Sequence, residues 1–569
     1  MTPVRFAQPS FSELFTPKMV TVLKEGYGLS DLRTDVVAGL TVAIVALPLS
    51  MAIAIASGAT PDKGLITAIV GGLIISAFGG SRFQIGGPAG AFIPLVATTI
   101  AVHGYDGLVI ATFMAGLMLV TVGLLRLGNY IKYIPYPVTV GFTAGIAVII
   151  FTAQIRDLLG LTLAAHEPPE VLHKLPVLWA ALPTVNAAAL ALALVSIGLI
   201  VAVRRLRPAW PGFLIAVCVG ALAVAFGHLP VETIGSRFGA LPSGLALKGL
   251  PGLSFERVRE LLVPAIAIAM LGGIESLLSA VVADGMTGRR HRSNCELVAQ
   301  GLANMASALF GGLPVTGTIA RTATNVRAGA RGPVSGVLHA VFLFAFLTTA
   351  GGLMAYVPLA TLAAILAVVA WNMAEKREFL SLLRASRGDA LVLAAAFLLT
   401  VLVDLTAGIG VGIVLGALLF MHRMAEAIEV ETDLAVVDRD VADATHAQPA
   451  FDPAYARDRD VLVYRLNGAF FFGAAGTVGA VFDRLGRMPR IFVLDMAGVP
   501  FLDTTGAYTL DTFAHKLERA GTTMIVAGAN PAVAASLRHF GLEEPRIRLA
   551  GTVESAMVLA DALLLDQSP

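Results

Sequence analysis

The sequence predicts a polytopic α-helical membrane protein that ends in a small α/β domain. Of its 569 residues, 56% are hydrophobic and only 14% are charged, and the mean hydropathy is +0.80. Soluble proteins carry about 25% charged residues, so this composition argues against a water-soluble enzyme of this size. Residues 1–428 hold 28 Lys and Arg against 20 Asp and Glu, whereas residues 429–569 hold 12 against 19. This division is typical of a membrane part followed by a mildly acidic soluble part.

The start of the chain and its cysteines indicate the cellular compartment. Residues 1–34 lack an apolar core of signal-peptide type, and we interpret them as a cytoplasmic amphipathic segment. Cys218 and Cys295 are too few for a disulfide framework and do not indicate an oxidising compartment. No basic patch interleaved with aromatic residues indicates a nucleic acid partner.

Fourteen membrane segments are predicted between residues 35 and 428. A spanning helix needs about 20 mostly apolar residues. Two stretches, Gly87–Val102 and Val315–Val326, are shorter and rich in Gly, Pro and Thr, and we interpret them as half-spans. The other twelve are Val36–Ala56, Leu65–Phe78, Gly107–Leu125, Val138–Ala153, Asn186–Val203, Pro211–Phe226, Leu261–Val282, Leu297–Phe310, Val334–Tyr356, Leu359–Trp371, Ala390–Val403 and Thr406–Met421.

Basic residues sort to one side of this arrangement. With the half-spans counted, fifteen Lys and Arg fall in the loops of one side and seven in the loops of the other, and both termini share the richer side. By the positive-inside rule the richer side is cytoplasmic. The poorer side holds Lys63, Arg156, Lys174, Arg237, Lys248, Arg257 and Arg259.

Seven plus seven segments predict two repeats, about residues 35–228 and 258–425. An odd number of segments per repeat gives the repeats opposite topology, as in many secondary transporters. The half-spans fall third in each repeat, and short Gly/Pro-interrupted segments at matching positions indicate a binding site near the bilayer midplane. Pro88 suits the first turn of a helix that starts inside the membrane, as do Gly317 and the hydroxyls of Thr316 and Thr318. Two helix N-termini that meet there favour an anion.

Two ionisable residues inside predicted spans are candidates for that site. Arg321 falls one turn after Thr318, and an arginine within a membrane is costly enough to indicate a function, here fixed positive charge behind an anion. Glu275 lies near the middle of Leu261–Val282, where a carboxyl group can carry a proton in step with an anion. Ser279 lies one turn further and supplies a second oxygen if the coupling ion is a cation such as Na⁺.

Structural roles stay open for these and other polar residues. Arg321 can instead snorkel to the cytoplasmic edge or form a static pair with Glu275. We expect His339 to be a packing residue with satisfied hydrogen bonds rather than a proton relay. Solvated positions are expected for three acidic residues near segment ends, Asp284, Glu296 and Asp404.

The C-terminal part predicts an α/β domain, residues 461–569, after a charged linker without helical or strand periodicity, residues 429–460. Buried strands are predicted at Val461–Leu466, Ile491–Met496 and Thr523–Ala527. They alternate with amphipathic helices, so the sheet is expected to be mostly parallel. The helices are predicted at Gly476–Leu485, Gly506–Glu518, Ala532–Phe540 and Val553–Leu564.

The strand end at Phe501–Gly506 is the sharpest local feature of this domain. Asp503 or Thr504 is expected to cap the following helix. The alternative is that Thr504 is a phosphorylation site, since a phosphate is tolerated at a helix start. The domain has no Gly-rich phosphate loop, metal-ligand spacing or nucleophile elbow, so we expect a regulatory or assembly role.

Five groups of residues together resemble the SulP family, the sulfate-permease and solute-carrier-26 group of anion transporters. The resemblance covers almost the full length and includes a C-terminal STAS domain. The residues that carry it are Ala38–Thr41 with Ala46–Ala52, Gly80–Arg82 with Gly86–Ala89, Gly273–Leu278, Ile319–Ala323 with Asn325, and Asp503–Gly506.

The resemblance implies a homodimer whose core and gate subdomains move as an elevator. The family binds its anion between the N-termini of the third and tenth helices. Glu275 matches an acidic position that prokaryotic members use for proton or cation coupling, and Thr504 matches the hydroxyl that some STAS domains phosphorylate. The residues that would line the anion site are Leu49, Ser50, Ile53, Gly87, Pro88, Ala89, Gly90, Thr318, Ile319, Ala320 and Arg321.

Two positions depart from the family pattern. Many sulfate transporters have Gln where Leu49 stands, and some animal members place an aromatic residue near Ala89. A small Ala89 suggests a roomier pocket than chloride needs. Residues Leu47–Gly58, Asp284–Gly288 and Trp371–Met373 look most similar to DauA-type bacterial C4-dicarboxylate transporters.

The sequence therefore predicts a secondary transporter of the bacterial cytoplasmic membrane that takes up a C4-dicarboxylate such as succinate or fumarate. H⁺ is the expected coupling ion and Na⁺ at Glu275 and Ser279 the alternative, with no other cofactor or metal. Sulfate:proton symport and bicarbonate transport, with sodium coupling, are alternative activities. A passive anion channel has no use for Glu275. Nucleobase carriers share the inverted repeat, but they normally bind a neutral planar ligand and lack a STAS tail, so Arg321 and residues 451–569 disfavour them. A membrane enzyme would need a nucleophile or a metal cluster, and the sequence shows neither.

Overall fold

A computed structural model gives the fold of most of the chain. It describes residues 10–128, 135–164, 167–168, 170–207, 210–240, 242, 244–403, 405–426, 429–432, 460–472, 474–475, 478 and 489–566. Three predictions lie wholly or largely outside these residues, namely the solvated position of Asp404, the helix Gly476–Leu485 and most of the linker at 429–460.

The chain divides into two compact units, Met1–Val414 and Leu415–Pro569. Nine helices of the described part are long and apolar enough to cross a membrane. The helices before the second unit's sheet are α1 (Phe11–Phe15), α2 (Lys18–Lys24), α3 (Leu29–Ala56), α4 (Pro61–Ile66), α5 (Gly72–Phe78), α6 (Ile93–Leu124), α7 (Tyr136–Leu159), α8 (Val171–Ala181), α9 (Ala187–Leu206), α10 (Gly212–Gly227), α11 (Ile234–Phe238), α12 (Phe255–Glu260), α13 (Leu262–Thr287), α14 (Ser293–Leu309), α15 (Ile319–Arg327), α16 (Val334–Met354), α17 (Leu359–Met373), α18 (Lys376–Ala385), α19 (Arg387–Leu402) and α20 (Leu405–Glu426).

Each predicted membrane segment coincides with a helix or part of one. A π-helical turn, Thr67–Gly71, joins α4 to α5 into one span. Gly104 has a φ of +69°, which breaks α6 between the first half-span and the span that follows it. The half-spans themselves consist of a two-residue strand and a helix. These are β1 (Gly86–Gly87) before α6, and β2 (Thr316–Gly317) before α15.

The helices of the first unit pack into two groups. One group consists of α3 to α6 and α13 to α16, in which α14 packs against α6 and α16 against α3. The other contains α7, α9, α10, α17 and α19, in which α7 contacts both α17 and α19. Contacts between the groups run mainly from α3 to α17 and α10. The predicted repeats therefore each contribute helices to both groups.

The two repeats are interlocked rather than side by side. The second part of α6 belongs to the first repeat but packs on α13 and α14, and α16 of the second repeat packs on α3 and α5. Glycines allow this close approach. A Cβ atom added at Gly116 would lie 2.7 Å from the Gly301 carbonyl oxygen, and one added at Gly39 would lie 2.5 Å from the Ser335 carbonyl oxygen.

The N-terminal segment forms two short helices that pack on the ends of α5 and α14. The Lys18 backbone N–H donates to the Gly79 carbonyl at 2.9 Å, and Arg292 Nη1 donates to the Thr16 carbonyl at 2.7 Å. Burial, followed by the nearby Arg292 guanidinium, lowers the pKa of the Lys18 amine. The segment is therefore tied to the first helix group.

The second unit contains a five-stranded sheet in the order β3–β4–β5–β6–β7. Strand β3 is antiparallel to β4, and the other pairs are parallel, as predicted. Alternate residues of β5 serve opposite faces, with Phe492 packing towards α21 and Val493 towards α23. The elements are β3 (Glu429–Thr432), β4 (Val461–Asn467), β5 (Ile491–Asp495), α21 (Thr504–Arg519), β6 (Thr523–Ala527), α22 (Pro531–His539), β7 (Ile547–Ala550) and α23 (Val553–Asp566).

Two strands of this sheet were not predicted. Residues 429–432, expected to be linker, form the edge strand β3, and Ile547–Ala550 forms the opposite edge β7. The expected cap is confirmed, because Asp503 accepts a hydrogen bond from the Gly506 N–H at 2.8 Å. Asp503 also accepts from the Phe472 N–H at 2.9 Å, and Thr504 is exposed at the first position of α21.

Candidate functional site

Two buried strands place both half-helices at one point of the first unit. Strands β1 and β2 are antiparallel, with Gly86 opposite Gly317 and Gly87 opposite Thr316. The chain then continues through an extended Ala89 into a 3-10 turn that begins at Gly90 and leads into α6. On the other strand, an extended Thr318 leads directly into α15. Both helices therefore start beside the same pair of strands.

Neither helix start has a side-chain cap in the part of the chain that the structure describes. The Thr318 N–H and hydroxyl both donate to the Ile85 carbonyl, at 3.0 and 3.2 Å, so this side chain faces the strand pair. The first N–H groups of a helix have no intrahelical partner. They carry partial positive charge from the helix dipole, and two such starts side by side are suited to an anion.

Arg321 places a full positive charge directly behind these helix starts. Its Nη2 donates to Ser50 Oγ at 3.1 Å and to the Pro88 carbonyl at 3.3 Å. The side chain is only 1% exposed, yet Nε and Nη1 have no hydrogen-bond partner. Since buried guanidinium groups are normally paired, this is an incompletely compensated cation.

Solvent exposure differs sharply between Arg321 and Ala320, the residue before it. Ala320 is exposed and Ile319 and Gly90 are half-buried, whereas Arg321 and Thr318 are buried. The exposed side of the start of α15 is therefore the side that carries Ala320.

Gly87 is required for the position of the Arg321 guanidinium. A Cβ atom added at Gly87 would lie 1.8 Å from Arg321 Nη1, which no real contact allows. We expect Gly87→Ala to displace the guanidinium and to reduce anion uptake at least about 10-fold, because a hydrogen bond to a charged group contributes about 1.5–3 kcal/mol. Gly198→Ala is the matched control, since a Cβ atom there meets nothing within 4 Å. Equal uptake by the two variants in proteoliposomes would contradict this role.

The predicted residues of the first span also face this region. Ser50 is fully buried, accepts from Arg321 and donates its own hydroxyl to the Ala46 carbonyl at 2.7 Å. Leu49 and Ile53 are buried in the apolar cluster that also includes Ala89. Pro48 lies within α3 just before them. The structure thus joins α3, β1 and α15 through one guanidinium.

Glu275 lies on α13, which hydrogen bonds attach to the strand pair and to α15. Thr316 Oγ1 donates to the Gly272 carbonyl at 2.9 Å, and Ser279 Oγ donates to Thr322 Oγ1 at 3.0 Å. Glu275 is 7% exposed, and no ion pair joins it to Arg321, both of which lie within the described residues. The static Glu275–Arg321 pair that the sequence left open is therefore absent from this conformation.

A buried polar network behind β2 was not predicted from the sequence. Gln84 Nε2 donates to Ser276 Oγ at 2.7 Å, and Ser276 contacts Glu296 Oε1 at 3.5 Å. A Cβ atom added at Gly317 would lie 1.7 Å from Gln84 Nε2, so the network touches the strand pair. The available signal was Gln84 itself, an uncharged polar residue two positions before the Gly86–Gly87 strand.

Glu296 is not solvated, in contrast to the prediction. It is fully buried, and its Oε2 accepts from the Gly80 and Ser81 N–H groups at 2.8 and 3.0 Å. Gln300 Nε2 donates to its Oε1 at 3.2 Å. The loop that precedes β1 needs this acceptor, because two of its N–H groups are buried.

We expect Glu296→Ala to destabilise the protein by about 2–4 kcal/mol, because it leaves the Gly80 and Ser81 N–H groups buried without acceptors. The measurement is the melting temperature of the purified protein in detergent. Glu260→Ala is the control, since Glu260 is exposed. Similar melting temperatures for the two variants would show that the loop does not depend on this carboxylate.

His339 also differs from its prediction. It is fully buried, but neither ring nitrogen has a hydrogen-bond partner. The ring packs against the backbone at Gly72, where an added Cβ atom would lie 3.6 Å from His339 Cε1. It is therefore a packing residue whose polar atoms are unsatisfied. Asp284, by contrast, lies half-buried near the end of α13 and pairs with His291 at 2.7 Å.

The described residues contain no group of three or more His, Cys, Asp and Glu side chains that could hold a metal ion. Glu275 and Ser279 are the oxygen-bearing side chains that the sequence predicts as ligands of a coupling cation. Ser279 uses its hydroxyl hydrogen on Thr322 and keeps oxygen lone pairs available.

Comparison with protein families agrees with this geometry. Residues 32–396 match the model of the Sulfate permease family, and residues 452–556 match the STAS domain. The "Putative sulfate transporter YvdB" of Bacillus subtilis is 41% identical over 509 residues, which cover 89% of this chain and 93% of that protein. The chain belongs to the sulfate permease family. It is therefore a membrane transporter and not an enzyme.

Other relatives of this permease are named for other anions. The "Bicarbonate transporter BicA" of Synechocystis is 31% identical, with 88% of each chain covered. Among solved structures, the transmembrane domain of a cyanobacterial BicA is 33% identical with a TM-score of 0.62, covering 68% of this chain and 99% of that one. The murine Slc26a9 anion transporter, in the inward-facing state, has a TM-score of 0.85 over 98% of this chain and 96% of that one. At 19% identity it supports the fold alone.

Proposed function

We propose that this permease is a secondary active transporter that binds a small anion between the starts of α6 and α15. The observation that carries the proposal is Arg321, a buried guanidinium with two unpartnered nitrogens beside two uncapped helix starts. An anion there completes the hydrogen bonds of backbone N–H groups and offsets the arginine charge. The surrounding residues are Leu49, Ser50, Ile53, Gly87, Pro88, Ala89, Gly90, Thr318, Ile319 and Ala320.

Glu275 is the proposed coupling site. It lies on the helix that hydrogen-bonds to β2 and α15, and it retains slight exposure without an ion-pair partner in the described structure. A proton bound there neutralises a carboxylate that otherwise repels the anion, so the two bind together. Na⁺ at Glu275 and Ser279 is the alternative, and it uses the same negative charge.

The proposed substrate is a C4-dicarboxylate such as succinate or fumarate, as the resemblance to DauA-type transporters implies. The small side chain of Ala89 favours an anion larger than chloride. Sulfate with protons and bicarbonate with sodium are the second candidates, favoured by the names of the relatives. A passive anion channel is the least favoured reading, since it leaves Glu275 without a role.

The proposed alternating access uses the two helix groups. The group of α3 to α6 and α13 to α16 carries the site and serves as the moving core, and the group of α7, α9, α10, α17 and α19 serves as the gate. We propose that the protein is a homodimer. It lies in the bacterial inner membrane with both termini in the cytoplasm. The STAS domain is then available to cytoplasmic regulatory partners, with the exposed Thr504 as a phosphorylation site.

Uptake by the purified, full-length protein in proteoliposomes tests this function. Labelled succinate, fumarate, sulfate and bicarbonate are offered in turn, with an imposed pH gradient, a sodium gradient or neither. We expect accumulation of a dicarboxylate driven by a pH gradient that is acidic on the uptake side. Accumulation driven only by a sodium gradient would show that Na⁺, and not H⁺, is the coupling ion. Equal flux with and without gradients indicates a channel, and the absence of flux for all four anions rejects the proposal.

A further inference from the structure

A second charged cavity lies at the far ends of the helices that form the proposed anion site. It has a volume of about 470 Å³, within the range of about 300–1,000 Å³ that small-molecule sites occupy. Residues of α3 and the loop after it line one side, and Ala97, Ile100 and Ala101 of α6 line the next. Since α6 rises about 1.5 Å per residue, Ala101 lies roughly 15 Å from the helix start at Gly90.

The remaining wall carries five charged side chains. The cations are Arg156, Lys174 and Arg237, and the anions are Asp157 and Glu167, so the lining has an excess of one positive charge. These cations belong to the basic residues of the poorer side, which the positive-inside rule places outside the cell. No further role for these cations is predicted from the sequence.

Each of the three cations has at least one carboxylate partner. Glu167 is shared, with Lys174 Nζ at 3.0 Å and Arg156 Nη1 at 3.8 Å. Asp157 holds Arg237 Nη1 at 3.1 Å, and the exposed Glu232, which is outside the cavity lining, lies 3.7 Å from the same atom. Lys174 is only 7% exposed, and the buried Nε of Arg156 has no hydrogen-bond partner.

The position of the cavity connects it to transport. Its lining combines α3 and α6, which carry the proposed site, with α7, α8 and α11. Five of the lining residues are alanines, which leave room for a solute beside the charges. They are Ala56, Ala59, Ala97, Ala101 and Ala153.

We propose that this cavity is an outer binding site, where a small carboxylate or other oxyanion is captured before it moves to the site behind Ala89 and Ala320. Arg156 and Lys174 bind the anion, while Glu167 and Asp157 keep the cations in place. The inference rests on the proposed anion transport. It adds a second anion-binding site, which has its own affinity and lies on one side of the membrane only.

Two substitutions of opposite sign test the outer site. Arg156→Gln reduces the lining charge from +1 to zero, and Glu167→Gln raises it to +2. For uptake from outside, we expect the first to raise KM about 3- to 10-fold and the second to lower KM, since local charge concentrates an oppositely charged solute. The double variant restores +1 and should lie near the unmodified protein. Arg259→Gln is the control, because Arg259 is an exposed basic residue of the same side.

Uptake into intact cells measures the outer KM, and uptake into inside-out vesicles measures the inner KM. Changes of outer KM alone, with opposite signs and reduced by added salt, support the proposal. An outer KM that is the same for all variants overturns it, as does an equal change on both sides. If Arg156→Gln does not fold, Glu167→Gln alone must still lower the outer KM. Unmodified protein that transports anions while these variants behave alike rejects only the outer site, whereas its failure to transport rejects the proposed function too.

Discussion

Arg321→Gln is expected to lower anion uptake about 10- to 100-fold at substrate concentrations below KM. The substitution keeps a polar but shorter side chain and removes the buried positive charge that lies behind both helix starts. Hydrogen bonds that involve a charged group contribute about 1.5–3 kcal/mol, which corresponds to this range of affinity. Initial uptake rates in proteoliposomes, taken over a series of substrate concentrations, provide the measurement.

Arg327→Gln is the matched control for Arg321. Arg327 ends the same helix and is exposed, so its loss removes a charge without disturbing the strand pair. Arg321→Lys keeps the charge but loses the guanidinium geometry, and we expect intermediate uptake. Gel filtration establishes that each variant is folded. A folded Arg321→Gln variant with an unchanged KM and maximal rate would show that the charge does not act on the anion.

Glu275→Gln is expected to abolish accumulation of the anion against its gradient, while exchange of internal for external anion continues. Glutamine cannot gain or lose a proton, so the carrier becomes permanently neutral at this position. Uphill uptake then has no coupling ion, but a loaded carrier can still cross in both directions. Counterflow and pH-driven uptake, measured on the same proteoliposomes, separate the two processes.

Glu260→Gln serves as the control, because Glu260 is exposed just before the helix that carries Glu275. Ser279→Ala distinguishes the coupling ions. It removes an oxygen that a sodium ion needs, whereas proton coupling requires only the carboxyl group. Accumulation by Glu275→Gln with the same pH dependence as the unmodified protein would place the coupling elsewhere.

The sequence predicted the membrane fold because the relevant signals are local. Runs of apolar residues define spans regardless of what they contact. The half-spans were recognisable from Gly, Pro and Thr at corresponding positions, and the structure has a strand and a helix start at both. Arg321 and Glu275 stood out because charge is rare in such surroundings.

Contacts between distant residues were beyond the sequence. Glu296 looked like a segment-end carboxylate, yet its acceptor role depends on Gly80 and Ser81, more than 200 positions earlier. The unsatisfied ring of His339 depends likewise on packing against Gly72. Neither fact has a periodicity or a motif, because both arise only when the two repeats come together.

The edge strands of the sheet illustrate a second limit. Strands β3 and β7 are only four residues long, and β3 consists of Glu429–Thr432, whose charges mask a strand pattern. Edge strands commonly carry charged residues, which keep them from pairing with other chains. Their conformation follows from the neighbouring strand rather than from their own composition.

The pairing of β1 with β2 also determines when this region can fold during synthesis of the protein. The ribosome completes Gly87 long before it reaches Thr316, its partner across the strands. At a translation rate of about 5–20 residues per second, the first strand is synthesised roughly 10 to 50 s before the second. During that interval the first half-helix has neither its strand partner nor the arginine that anchors Pro88. The nascent first repeat is therefore expected to require protection by the insertion machinery until the second repeat emerges.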